Sequence, residues 1–545
     1  MLKSKPLLLL SGFLFLLPFL SQAQQQWMVY FKDKQHKDFN PYSYFDKKAI
    51  ERRVNTGLPI DDPSDWPVNT SYVSEISLMV NEVIIESRWL NSMAVDADDL
   101  QINTVRQLPY VLAVEWINPL QMQAASYEDY DTSVNENEAK ILSGQLKTLG
   151  VDAWRKAGID GKGMRIAILD VGFDRADHVP AFNQIRSEKR LIATRDFTKR
   201  GNNENVFYGN GHGTEVWSCI AGKLGDIQIG LATGAEFLLA KTEKSSEKFS
   251  EELYWLAAAE WADKNGADII NSSLGYTGKR YFNWQMDGKT SFVTRAANIA
   301  AGKGILVVNA AGNEGSDPWH YIGAPADADS VLSIGGTDPE TGYHIGFSSY
   351  GPTTDKRMKP NVSAYGHVIA AAPAGLTSTQ GTSFASPLVA GFAACAWQTN
   401  RSLSNMQLFK EIEESGSLYP YFDYAHGFGI PQAGHFLNKN QTPIAPTFRI
   451  IENGDSVNIV VNKDLVNKTA TYGNTGYKSV KRNENEPGNS QEYLYYNIMN
   501  KSGVLDNYYV LDVTHSEVLT LFKNDFHNGE TLNVHFAGYS ISVKL

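Results

Sequence analysis

From residue 164 to residue 336, short and nearly continuous apolar runs alternate with longer helical stretches. The runs are "MRIAILD" (164–170), "AEFLLAKT" (235–242), "ADIINSS" (267–273), "ILVVNA" (305–310) and "SVLSIGG" (330–336). Each is strand-sized and lacks the alternation of a strand with one wet face, so each reads as a strand buried on both sides. Among the segments between them are "SEELYWLAAAEWADKNG" and "SFVTRAANIAAGKG", the second closed by a glycine that suits a helix C-terminus. Strands of this kind with helical crossovers make a parallel sheet covered on both faces. The pattern predicts one α/β unit from about 145 to 438.

The flanks differ. Residues 24 to about 125 hold strand-like runs ("WMVYF", "VNEVIIESRWL", "YVLAVEW"), and the acidic stretch "YEDYDTSVNENEAK" (127–140) reads as a solvated linker. From about Thr442 the helices disappear. "GETLNVHFAGYSISVKL" alternates Leu532, Val534 and Phe536 with Tyr539, Ile541 and Val543 around Ala537-Gly538, a hairpin in an all-β module. At the other end, Lys3 and Lys5 precede an apolar run from Leu7 to Leu20 that is interrupted by Pro18 and followed by Ser21-Gln22-Ala23. This is the layout of a secretory signal cleaved near Ala23, and the run is too short to serve as a membrane span. No later segment has the length of a transmembrane helix. A net charge of -11 excludes a nucleic-acid partner that needs a basic stripe. Cys219 and Cys395 lie in apolar helical stretches and read as two buried thiols, one disulfide being the alternative in an exported protein.

Chemistry concentrates in four stretches. Asp170 ends a buried strand, where open parallel sheets collect ligands. His212 lies between glycines at the start of a helix, and Ser383 stands at the mouth of another in "QGTSFASPLVAG" (380–391), surrounded by residues too small to cover it. A serine hydroxyl needs a base to take its proton, and that base needs an orienting carboxylate. Asn313, on the small turn in "VVNAAGNEG" (307–315), offers an amide donor for a developing oxyanion beside the N–H of Ser383. Taken singly, each residue has a bland reading as a cap, a loop residue or a turn.

Together, "AILDVGFD", "GHGTEV", "NSSLG", "NAAGNEG", "FSSYGPT", "KPNVSAYG" and "GTSFASPLVAG" resemble the subtilisin-like serine peptidases, in that family's order and over a little more than half of the chain. The resemblance implies a subtilisin-like parallel sheet flanked by helices. It implies Ser383 as nucleophile, His212 as general base and then acid, Asp170 as the group orienting the imidazole, and Asn313 as oxyanion donor. Ser273, Leu274 and Gly275 would form the strand that pairs with an extended polypeptide substrate and walls its P1 pocket. No cofactor is required and no metal ligand is assigned; family members often hold structural calcium, but no contiguous EF-hand-type acidic loop is present. The stretch 83–116 resembles the end of the family's α+β propeptide, which makes the chain's own N-terminal segment an intramolecular inhibitor. The expected organisation is a signal peptide (1–23), a propeptide (24–130), a linker (131–144), the peptidase domain (145–438) and a β-sandwich-like module (442–545) suited to surface attachment, substrate binding or secretion.

The sequence departs from the family's usual pattern at Val171, at Glu215 and in "EKSSEKFSEE" (243–252), which stands where relatives carry a Gly/Ser-rich stretch for outer subsites. Glu314, beside Asn313, reads as a pocket-rim residue that tolerates a basic P1 side chain. Relatives with a Ser-Glu-Asp triad also place a "GTS" serine before proline, but they lack "HGT" and have Asp where Asn313 stands. A dead-site binding protein would have lost one of the four groups, and none is lost.

Overall fold

The computed structural model describes residues 25–35, 39–117, 136–244, 249–278, 280–438, 444–462, 493–513 and 518–545, with the backbone of two short strands at 471–472 and 480–481. The expected signal peptide, the segment 118–131 and residues 131–135 of the expected linker lie outside the described residues.

Seven parallel strands form the central sheet, in the spatial order Val362–Tyr365, Val331–Thr337, Leu306–Ala310, Ile269–Ser272, Arg165–Asp170, Glu236–Lys241, Leu191–Asp196. All five apolar runs are strands of this sheet. Its two edge strands were not legible as continuous apolar runs: Leu191–Asp196 is largely half-buried, and Val362–Tyr365 is only four residues long. Alternation within the buried strands sends side chains to opposite faces. Ile166 and Ile168 join the core under helices His212–Ala221 and Thr382–Thr399, while Ala167 and Leu169 join the core under Ser250–Lys264 and Phe292–Gly302. The chain runs from the central strand 165–170 to one edge and back, then crosses to build the other half. Strands 165–170 and 269–272 therefore flank the point where the direction of winding reverses, and the crevice beyond their carboxyl ends is where such sheets bind ligands.

The N-terminal module is a four-stranded antiparallel sheet, ordered Glu82–Ser87, Ser92–Ala97, Gln25–Phe31, Val111–Ile117. One face packs Trp27, Val29 and Phe31 on its own helices through Ile76, Ile102 and Val105. The opposite face sends Met28, Ile85, Ala94 and Ile117 into the core of the α/β unit at helices Ser250–Lys264 and Phe292–Gly302.

The acidic linker ends sooner than its composition suggests. Residues 136–144, assigned to it, belong to helix Glu136–Lys147, which buries Ile141, Gly144, Gln145 and Leu146. Gln145 donates to the carbonyls of Ile229 (3.0 Å) and Ile369 (3.2 Å) and accepts from Ile369 N (3.0 Å). The acidic side chains occupy the outer face and the N-terminal turn, where the helix dipole favours them. Beyond 442, strands 448–453, 456–461 and 518–522 form one sheet and strands 493–499, 505–512, 531–536 and 539–544 another, around a core of Val457, Ile459, Leu494, Leu532, Val534 and Phe536. The expected hairpin turns at Ala537 and Gly538, both with positive φ, as a two-residue turn of this hand requires. Cys219 and Cys395 are free and buried, and no helix among the described residues is long and apolar enough to cross a membrane.

Candidate active site

Asp170 is the last residue of its strand and is fully buried. Its Oδ1 lies 2.8 Å from Nδ1 of His212, the first residue of helix His212–Ala221, and accepts the Val171 N–H at 2.8 Å. Glycine is demanded beside the imidazole: a Cβ on Gly213 would lie 2.5 Å from the Gly172 carbonyl. Burial works to lower the His212 pKa. The Asp170 carboxylate, its hydrogen bond to the ring and the charge of Glu215 in the same helical turn outweigh burial and leave the imidazole above its ordinary value. Glu215, which sequence reading noted only as a departure, is thus part of the electrostatics of the site.

Ser383 is the second residue of helix Thr382–Thr399. Pro387 has no N–H to give the carbonyl four residues back, which is that of Ser383, and Ser273 Oγ donates to this carbonyl at 2.7 Å. Asn271 Nδ2 in turn donates to Ser273 Oγ at 3.1 Å, and Ser386 Oγ donates to Asn271 Oδ1 at 3.0 Å, so the helix start is tied to the neighbouring strand end. The Ser383 hydroxyl donates to the Ser273 carbonyl at 3.2 Å. The His212 ring stands beside the next residue, 5.3 Å between centroids from Phe384.

Asn313 is held from one side. Its Oδ1 accepts from both Thr382 N and Thr382 Oγ1, at 2.9 Å each, which orients Nδ2 as the outward donor. Gly381, with φ +142°, holds a backbone conformation that favours glycine, and the point its missing Cβ would occupy lies 3.5 Å from Asn313 Nδ2 and 3.7 Å from the Ser383 nitrogen. Two donors therefore flank one spot. Thr382 was missed as a positioning group, and its place before the serine in "GTS" was the available signal.

Ser273, Leu274 and Gly275 extend past the end of strand Ile269–Ser272 without a strand partner among the described residues, Gly275 exposed. Asn309 Nδ2 fixes the Leu274 carbonyl at 2.9 Å, and Tyr276 bridges to Ala324 just beyond. The result is an open backbone edge leading to Ser383. Glu314 is turned away from a rim role: its Oε2 accepts from Ser349 Oγ at 3.0 Å, and burial raises its carboxyl above the usual range. His320 braces this turn, its N–H donating to the Glu314 carbonyl (3.1 Å) and its Nδ1 lying 2.6 Å from the Gly315 carbonyl. The ring of His320 stacks on Tyr350 (4.5 Å), which stacks on His344 (4.1 Å).

The acidic stretch 243–252 folds inward where it is described. Glu243 accepts from Tyr276 OH at 2.8 Å, Arg280 pairs with Glu251 at 2.6 Å and with Glu252 at 3.3 Å, and Tyr281 OH donates to Glu252 at 2.5 Å. Among the described residues, one group brings three ligand-type atoms together: those of Glu411, Glu414 and His435 lie within 4.8 Å of one another. An imidazole among only three donors does not match the all-oxygen, six- to eight-ligand shell of calcium, and His435 Nε2 already meets Glu411 at 2.6 Å.

Comparison with known proteins bears on this geometry. The profile of the Subtilase family matches residues 161–429, and that of the Peptidase S8 propeptide domain, Bacteroidota, matches residues 26–133. Subtilisin Savinase of Lederbergia lenta is 31% identical over 261 residues, 48% of this chain and 86% of that protein. The chain belongs to the subtilase family. It is a serine peptidase with a propeptide domain. The alkaline protease of Alkalihalobacillus alcalophilus is 29% identical over 345 residues, 63% of this chain and 80% of that protein. Fervidolysin of Fervidobacterium pennivorans, described as a keratinolytic enzyme related to subtilisin, shares the fold at a TM-score of 0.53 and 18% identity, covering 94% of this subtilase and 71% of that chain.

Proposed function

We propose that this subtilase is an exported endopeptidase that cuts extended or unfolded polypeptides, with Ser383 as nucleophile, His212 as base and then acid, and Asp170 holding the imidazole. The observation that carries the reading is the 2.8 Å contact of Asp170 Oδ1 with His212 Nδ1 beside the start of the Ser383 helix. A substrate strand pairs with the open edge at Ser273–Gly275. Rotation of Ser383 about its Cα–Cβ bond takes Oγ from the Ser273 carbonyl toward the imidazole. Oγ then attacks the scissile carbonyl carbon while His212 Nε2 takes its proton. The carbonyl oxygen becomes an oxyanion between Asn313 Nδ2 and the Ser383 N–H, next to the positive end of the helix. Collapse of this intermediate breaks the C–N bond, and His212 returns the proton to the leaving amine. Water repeats the sequence on the acyl-enzyme.

Residues 1–23 act as the export signal, and 24–130 as an inhibitor and folding aid that the enzyme cuts away. The peptidase unit spans 145–438 and the C-terminal module 442–545. A fluorophosphonate should label Ser383 in processed protein, and that protein should cleave casein at neutral to alkaline pH. Processed protein that does neither overturns the reading. Ser383→Ala should accumulate as an uncut precursor, whereas active protein should begin between about 121 and 145.

A further inference from the structure

The N-terminal module does not dock by apolar contact alone. Asp263, in the last turn of helix Ser250–Lys264, is fully buried at the module boundary, at the helix end where the dipole disfavours a carboxylate. Three guanidiniums of the module converge on it. Arg52 Nη2 pairs with Oδ1, Arg53 Nη2 with Oδ2 at 2.9 Å, and Arg88 Nη2 with Oδ2 at 2.5 Å. One turn earlier, Glu260 accepts from Ser87 Oγ (2.6 Å), Trp89 N (3.2 Å), Arg88 N (3.0 Å) and Arg88 Nη1 (3.3 Å). In return, Lys303 of the peptidase reaches Asp65 (3.1 Å) and Asp62 (3.0 Å) of the module. The module brings three guanidiniums and two carboxylates; the peptidase brings two carboxylates and one ammonium. The charges of these named pairs cancel only when both halves are present.

We propose that Asp263 and Glu260 form a recognition site for a partner bearing paired guanidiniums, and that this charge lock selects the chain's own N-terminal module and sets how long it stays bound once cut. The proposal rests on the reading that the module is cut away, and it adds what decides retention. A ligand that covered the same two helices with apolar surface, but carried no guanidiniums, would bury two carboxylates without partners. Removing one side of a buried, hydrogen-bonded charge pair is costly because the other charge stays buried, and the loss appears in the off-rate, on the order of a hundredfold or more. The pairs are also specific in geometry: Arg88 places Nη1 on Glu260 and Nη2 on Asp263, a fork that a single ammonium cannot reproduce.

The test uses the full-length chain, left to process itself. Cleavage is followed on denaturing gels, and retention of the fragment by gel filtration. Release is timed by the appearance of caseinolytic activity, normalised to sites titrated with fluorophosphonate. In Asp263→Asn the fragment should leave roughly a hundredfold faster than in the wild type, whereas Ile85→Val, which trims one methyl at the same boundary, should change release far less. If Asp263→Asn does not mature, Arg88→Lys decides, because it keeps the charge and loses the fork; release at least about tenfold faster is expected. A cut chain whose lock variants release the fragment at the wild-type rate, or no faster than Ile85→Val, overturns the lock alone. A wild-type chain that stays full length on the gel overturns the propeptide reading beneath it.

Discussion

The two flanking modules are attached to the peptidase by opposite chemistries. At the N-terminal boundary, Asp263 and Glu260 face Arg52, Arg53 and Arg88. At the C-terminal boundary the contacts are neutral and aromatic. Tyr343 packs edge-on to Tyr493 at 5.0 Å, and Tyr421 against Tyr495 at 5.7 Å. Tyr343 OH and Tyr424 OH donate to the Val510 and Leu505 carbonyls at 3.2 Å each, and Asn497 Nδ2 donates to the Phe422 carbonyl at 2.6 Å. On separation, charged side chains regain their hydration, whereas tyrosine rings expose apolar area that water resists. Separation at the first interface would uncover paired charges beside an apolar patch of Met28, Ile85, Ala94 and Ile117, and at the second mainly tyrosine rings. The difference teaches that the N-terminal contact is matched by charge as well as by shape.

The strongest way to break this comparison is Ser383→Ala. Activity should fall by roughly six orders of magnitude, the scale on which serine and histidine act as a unit in subtilisin, and both modules should then stay on the same uncut chain. A variant that still yields a mature N-terminus would mean that another protease separates the N-terminal module. Asn313→Ala comes next, with kcat lower by roughly two to three orders of magnitude and KM little changed. Processing should slow in the same proportion, which steady-state kinetics and a cleavage time course can compare; near-normal kcat would leave Asn313 a turn residue only. Third, Tyr495→Ala should weaken the C-terminal attachment by about 3 kcal/mol, as for other large rings removed from a core, read as increased proteolysis of the 442–545 module in the mature enzyme. An unchanged digestion pattern would show that the aromatic interface is not what holds that module. The smallest effect belongs to Glu215→Gln. Because the folded imidazole sits above its usual value of about 6.5, the base form is lost on acidification at a pH above that value. Removing one of the charges that raise it should move the acid limb of kcat/KM to lower pH, with the alkaline plateau unaltered. A limb that stays in place would assign the shift to Asp170 alone.

Much of this was readable from the chain. Buried parallel strands announce themselves as unbroken apolar runs, and Asp170, His212, Asn313 and Ser383 sit in short glycine-flanked stretches whose order alone is informative. What escaped depends on partners distant in sequence. Strand Ser92–Ala97 carries Asp96 and follows the turn at Asn91, so it does not read as a separate run. Glu243, Glu251 and Glu252 read only as a departure at the outer subsites because Arg280, Tyr276 and Tyr281, which satisfy them, lie about thirty residues away. Arg52, Arg53 and Arg88 form no motif; only the docked sheet brings them to Asp263. Helix Glu136–Lys147 hides a narrow buried stripe in an acidic composition. Sequence patterning reports which groups need burial, and buried charges are the groups for which it gives the wrong answer.

The stack of His320, Tyr350 and His344 has a consequence for heat. His344 N–H donates to His426 Nε2 at 2.9 Å, and the His426 ring meets Tyr343 and Tyr495 at the edge of the C-terminal module. At its other end the stack props the turn that carries Asn313. Warming that frays the terminal sandwich therefore reaches the oxyanion turn through a short ladder of rings, long before the seven-stranded sheet melts. Turnover should fade on heating while the helical signal is still intact, so that the working temperature of this peptidase would be set at a boundary outside its catalytic triad.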